Sequence, residues 1–241
     1  MEWHEGITQV HPHIVHISTP RGSGTGWLVS TSKTTDLCAI ATAAHVVDHA
    51  HYWEAPIRIL HPESGKSVLF RADERAIHLD LSIDSAAIVI RRGELPLPEE
   101  PLKLVEDGYY IKSGVEIGWL GFPAVHPSHA CFFSGRISYY DEAKKHYLVD
   151  GVAINGVSGG PTFRLTGTAE LLGIVSAYMP NRATGEPLPG LAIIQDVSQF
   201  YDIAQRFKNL DDAKVNETPA EETAEAEQPQ PEPPPAQIGQ S

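Results

Sequence analysis

The chain has 241 residues, 41% of them hydrophobic, enough for one large domain or two small ones with a real core. Its net charge of −13 is uneven: eight acids and one lysine lie between Asp211 and Ser241, and the other 210 residues carry only −6, with no basic face for nucleic acid. Two cysteines are too few for a disulfide scaffold, no segment reaches the roughly 18–20 apolar residues of a membrane span, and the opening "MEWHEGITQVHPH" lacks the basic start and apolar run of a signal peptide, so a cytoplasmic protein with no nucleic-acid or membrane partner is expected.

In chain order, short apolar or alternating runs follow one another: "HIVHIST" at 13–19, "GTGWLVS" at 24–30, "LCAIATAA" at 37–44, "IRILHP" at 57–62, "SVLFRA" at 67–72 and "SAAIVIRR" at 85–92. The series continues with "VEIGWLG" at 115–121, "ACFFSGRISYY" at 130–140, "HYLVDGV" at 146–152, "LLGIVSAYM" at 171–179 and "GLAIIQ" at 190–195. Gly, Pro, Asp, Asn and Ser clusters separate them, which indicates an all-β sandwich or barrel. Helical periodicity enters only at 196–210, where Val197, Phe200, Ala204 and Phe207 share a face and Asp196 or Ser198 can cap the start. Beyond it, residues 209–241 have six prolines and almost no branched or aromatic side chains. Such a tail cannot bury enough apolar surface to order itself. It reads as a disordered solvating segment, or, through "PEPPP", as a polyproline II stretch that binds a regulatory partner protein.

Three positions carry candidate chemistry. "INGVSGGPTF" sets Ser158 among glycines and a proline, a turn that also fits G-x-S-x-G. An α/β-hydrolase would need a histidine after the serine, but the last histidine is His146. The subtilisin order, with Asp36 before His45, is allowed by sequence, but that architecture needs helices this chain lacks. His45 follows an apolar strand that ends in small residues, with a short helical turn possible through "HVVDH". Asp84 opens the apolar run at 85–92, where a buried carboxylate must find a partner; Asp80, nearer solvent, is its rival. The histidines at 11, 13 and 16, and the group His45, Asp48, His49 and His51, lack a matching ligand set, so no metal or other cofactor is expected. "RGSGTGW" fails as a phosphate loop because Trp27 occupies the last glycine position, and Cys38 and Cys131 read as small core residues.

Together "GSGTGWLVS", "IATAAHVV", "DSAAIVI", "VEIGWLGFP", "SGRIS", "INGVSGGPTF", "LLGIVSA" and "GLAIIQ", in this order from about Ile14 to Gln195, resemble the trypsin/chymotrypsin-fold serine proteases, most closely bacterial trypsin-like peptidases of the HtrA type. The resemblance implies two packed six-stranded antiparallel barrels, at about 8–105 and 106–208, with a short C-terminal helix and then the tail. It implies a serine endopeptidase acting on polypeptides: His45 as general base, Asp84 orienting it, Ser158 as nucleophile, and the N–H groups of Gly156 and Ser158 as oxyanion hole. Ser176 matches a family residue that hydrogen-bonds the acid. Val152 at the pocket base, Ser176, Ala177 and Tyr178, and Gly190 to Ala192 would line the substrate pocket, favouring small or medium apolar residues. The shortened loop allows Gly151 at the base instead, and Asp150, were it to reach the base, would favour basic residues. Val157 stands where zymogen-type members carry an aspartate, and no "IVGG"-like start exists, so the site should form without N-terminal cleavage or be held by other contacts; "INGVSGGP" is also one residue shorter than the usual HtrA-type loop. No PDZ-like domain is expected to follow. The other function class is a non-catalytic peptide- or partner-binding module on the same fold.

Overall fold

In the first runs, residues 24–30 and 38–42 are buried without a break. The computed structural model describes residues 1–93, 95–180 and 187–217. In it β1 (Ile14–Thr19) and β2 (Gly22–Thr31) form a hairpin with Ile14 opposite Trp27. β2 continues to β3 (Leu37–Thr42), β3 to β7 (Ser85–Arg91) and β7 to β6 (Arg75–Asp80). On the other side β1 pairs with β4 (Ile57–His61) and β4 with β5 (Lys66–Phe70). The result is one seven-stranded antiparallel sheet with β5 and β6 at its edges. It is a half-barrel rather than the closed six-stranded barrel expected. A short turn joins the two edges, and the Arg75 guanidinium occupies their junction, donating to the carbonyls of Phe70, Ala50 and Ala55 in place of a strand ladder.

The second unit closes. β8 (Glu116–Gly121), β9 (Cys131–Asp141), β10 (His146–Asp150), β11 (Pro161–Leu165), β12 (Ala169–Pro180) and β13 (Pro187–Asp196) form a six-stranded barrel in the order β10-β13-β12-β11-β8-β9. Ile117, Trp119, Tyr147, Val149 and Ile194 fill its interior. A larger apolar core runs from Ile17, Trp27, Ile40 and Ile88 of the first unit to Phe122, Phe163 and Leu171 of the second, so the two units share buried surface.

Helices fasten the assembly. α3 (Ser198–Glu217) begins where Asp196 accepts hydrogen bonds from the Ser198 N–H and hydroxyl, and it buries Phe200, Ile203 and Phe207. The helix runs nine residues past the expected end of the folded part at 208. The disorder and polyproline readings therefore fall on 218–241, outside the described residues. α1 (Trp3–Val10) has no counterpart in the sequence reading; a capping box between Glu2 and Glu5 starts it. Its Trp3 ring packs on Phe132 and Phe163 of the barrel, at centroid distances of 5.2 and 5.7 Å. No described helix is long and apolar enough to cross a membrane.

Candidate active site

The short helix after His45 forms as the sequence allows. α2 (Ala44–Tyr52) starts directly after β3, and Ala43 and Ala44 are wholly buried. Their small side chains leave room for a neighbouring loop at the helix start. His45, in the first turn, points its ring towards the β6–β7 turn. There Asp84 takes a left-handed backbone conformation (φ 48°), one that aspartate tolerates better than most residues. The Asp84 carboxylate accepts hydrogen bonds from the His45 Nδ1–H (2.9 Å to Oδ2), from the His45 main-chain N–H (3.0 Å) and from the Ser176 hydroxyl (2.5 Å). Asp80 instead turns back on its own loop and accepts from the Ser82 N–H and hydroxyl.

The hydrogen bond to Asp84 raises the His45 pKa above its ordinary 6.5, outweighing burial, which lowers it. Burial pushes the Asp84 carboxyl up, but the bonds from His45 and Ser176 outweigh it and hold the group below its ordinary 3.8. With Nδ1–H committed to Asp84, the neutral imidazole presents Nε2 as a bare acceptor, the form a general base requires.

Ser158 lies in the loop between β10 and β11. Its carbonyl accepts from the Thr25 N–H of β2 (2.8 Å), which sets the serine against the first unit. Gly159 presses the same loop into the small-residue gap. Its φ is 82°, and a Cβ there would overlap Thr25 O and Thr42 Oγ1 and come within 2.8 Å of Ala43 N, two residues before His45. Among the described residues the Ser158 hydroxyl has no hydrogen-bond partner, and neither do the N–H groups of Gly156 and Ser158. Contacts between nucleophile and base are often loose without substrate and tighten when it binds. Val157, between the two free N–H groups, is fully buried in the barrel core beside Gly121.

The expected pocket residues divide. Val152 is 49% exposed, Ala177 is exposed, and the Gly190 carbonyl accepts from the Gly151 N–H (2.8 Å). The Asp150 carboxylate lies 3.9 Å from where a Gly190 Cβ would stand, so the acid faces the same wall. Ala192 is fully buried among the barrel core residues and presents no surface to a ligand, because at its position on β13 the side chain points into the barrel. The Tyr178 main chain pairs with Ala192; its side chain lies outside the description. Ser176 is spent on Asp84 rather than offered to the pocket.

The two ring nitrogens of His13 face the carbonyls of Gln9 and Glu100, and His16 packs on Phe122. Among the described residues no group of three or more His, Cys, Asp or Glu is arranged to hold a metal. Cys38 is buried, and burial pushes its thiol up to about 12, so it is inert. A cavity of about 800 Å³ opens between β5, β6 and β7 and contains none of His45, Asp84 or Ser158.

The family described as "Trypsin-like peptidase domain" matches residues 24–174. No curated protein matches the sequence. Among solved structures the fold is similar to Rv3671c from M. tuberculosis H37Rv, a serine-to-alanine mutant in its inactive form. The identity there is 18% and the TM-score 0.57, over 88% of this chain and 91% of that one. It is also similar to the serine endoprotease from Yersinia pestis, with 17% identity and a TM-score of 0.63, over 86% of this chain and 66% of that one. At these identities the likeness is one of fold.

Proposed function

The chain belongs to the trypsin-like peptidase domain family, and from that membership we propose that it is a serine endopeptidase acting on polypeptides through His45, Asp84 and Ser158. The observation that carries the reading is the His45 Nδ1–Asp84 pair, which leaves Nε2 as an acceptor beside a loop whose serine hydroxyl has no partner among the described residues. Ser158 Oγ attacks the substrate carbonyl while its proton passes to His45 Nε2. The negative charge that develops on the carbonyl oxygen is met by the free N–H groups of Gly156 and Ser158. As the intermediate collapses, His45 gives its proton to the leaving amine and an acyl-enzyme remains. Water, activated by the same imidazole, attacks the ester and releases the acid. Asp84 holds the imidazole in the tautomer that makes both transfers possible and stabilises the imidazolium between them.

The pocket wall at Val152, Ala177 and Gly190 supports a small or medium apolar residue before the scissile bond. A peptide library tests that preference against basic residues, which the Asp150 carboxylate beside Gly190 would attract. The activity itself is tested with a fluorophosphonate probe, which reacts only with an activated serine. Wild-type protein is expected to be labelled, and Ser158→Ala and His45→Ala to be blank. An unlabelled, folded wild type would leave a non-catalytic binding module as the reading.

A further inference from the structure

We propose that Thr25 is a positioning residue whose hydroxyl, reaching across from β2, holds the turn before Ser158 in the shape that exposes the oxyanion-binding N–H groups. The inference rests on the serine-peptidase reading of Ser158.

Thr25 is wholly buried, and each of its polar atoms is used. The main-chain N–H donates to Ser158 O (2.8 Å), and the main-chain carbonyl accepts from the Thr42 hydroxyl (2.7 Å). The side-chain hydroxyl accepts from the Phe122 N–H (3.0 Å) and donates to Gly156 O (3.0 Å). One hydroxyl thus ties β2 of the first unit to two segments of the second: the stretch after β8 and the turn that leads to the serine.

Three consecutive peptides form that turn, and each carbonyl is anchored. Asn155 O accepts from Ala124 N–H (2.7 Å), Gly156 O from the Thr25 hydroxyl, and Val157 O from Gly160 N–H (2.9 Å). A peptide unit is planar, with its N–H directed opposite its C=O, so anchoring a carbonyl aims the N–H of the next residue. The first and third anchors therefore aim the free N–H groups of Gly156 and Ser158. Both are main-chain bonds. Only the middle anchor is a side chain, and it restrains the peptide that connects the two donors.

That peptide needs a restraint. Gly156 sits at φ 91°, and glycine passes between backbone basins at little cost, so its peptide can rotate where another residue's could not. Its N–H end donates to Ile154 O (3.2 Å), but the Val157 side chain is apolar and buried in the barrel and supplies no hydrogen bond to the turn. The restraint at its carbonyl end comes from residue 25. A β-branched threonine suits the task because its χ1 is stiff and keeps the hydroxyl aimed.

The test compares Thr25→Val, which keeps the shape and removes the hydroxyl, with Thr25→Ser, which keeps the hydroxyl. Measurements are made per active site, counted by the acylation burst. Thr25→Val is expected to lower kcat and the fluorophosphonate labelling rate by about 10²-fold, as for a lost oxyanion donor, with KM within about threefold. Thr25→Ser should stay within about tenfold of wild type. A valine variant that turns over and labels at the wild-type rate overturns the proposal while leaving Ser158 as nucleophile. A folded wild type that is not labelled overturns both. Should the valine variant fail to fold, Thr25→Cys, of similar size and a weak donor, is expected to lose at least about tenfold in both rates, and wild-type rates there overturn the proposal.

Discussion

The Asp84 carboxylate takes three hydrogen bonds, and two of them come from His45, so the two groups shift each other's titration in opposite directions. The His45 pKa is raised, so its contribution to stability is complete below 6.5 and lost as pH rises through the higher folded value. The Asp84 pKa is lowered, so its contribution is complete above 3.8 and lost as pH falls through the lower folded value. The ion pair is therefore strongest between these limits, whereas the general base must be neutral. Activity is expected to climb with pH on a limb above 6.5. Asp84→Asn removes the main cause that raises His45 and leaves burial, which lowers it. The limb in kcat/KM should then move to lower pH, with kcat reduced by about 10³–10⁴. A pH–rate profile of the two proteins checks this, and an unmoved limb would show that Asp84 does not set the His45 titration. That Asp84 rather than Asp80 would be the partner was legible in the sequence, because Asp84 adjoins an apolar strand where an unpaired carboxylate is costly. The anchoring hydroxyl of Thr25 was not legible, since its partners at 122 and 156 lie about a hundred residues away.

At the scale of elements, the C-terminal helix does more than cover the core. Its last turns carry Asp211, whose carboxylate accepts from the Ser32 hydroxyl (2.6 Å), the Lys33 N–H (2.8 Å) and the Thr34 N–H and hydroxyl. Burial pushes this carboxyl up, but those donors prevail and hold it down at about 2. Asp211→Ala should lower stability by about 1 kcal/mol at neutral pH. The lowered pKa places that contribution above pH 3.8, fading as pH falls towards 2, so thermal melts of the two proteins should converge in acid. An equal gap at both pH values would mean that packing rather than the carboxylate is at work. The elements that escaped the sequence reading each carry a weak local signal. β6 has no fully buried residue and lies at the sheet edge, so its pattern is weak. β11 opens on Pro161 directly after the glycine loop and reads as part of that turn. α1 is only eight residues long, carries Gly6 inside it, and gains its stability by packing on the barrel.

At the scale of the whole molecule, the candidate site is a seam. His45 and Asp84 come from the seven-stranded sheet, Ser158 and Ser176 from the closed barrel, and each side holds the other: Ser176 grips Asp84, and Thr25 grips the serine loop. Gly159 stands in that seam, against Thr25 O and Ala43 N. Gly159→Ala is strained at φ 82° and overlaps the main-chain atoms Thr25 O and Ala43 N, which cannot yield as a flexible side chain would. The larger shared core should keep both units folded while the seam opens, so activity is expected to fall by at least about 10²-fold with the circular dichroism spectrum unchanged. Retained activity would mean that the loop tolerates displacement from β2.

By itself the sequence determined the all-β class, the C-terminal helix and the three candidate residues with their order along the chain. Those properties are local: the period of apolar residues, turn chemistry, and the need of a buried carboxylate for a partner. The tertiary structure decided what depends on distant parts of the chain meeting. It left the first sheet open where Arg75 occupies the junction of its edges, and it turned Ala192 into the core and away from any ligand. It also moved the expected end of the folded part from 208 to the far side of Asp211. Each of these turns on a hydrogen bond or a steric contact between residues far apart in the chain, and such pairings leave no periodic trace in the sequence.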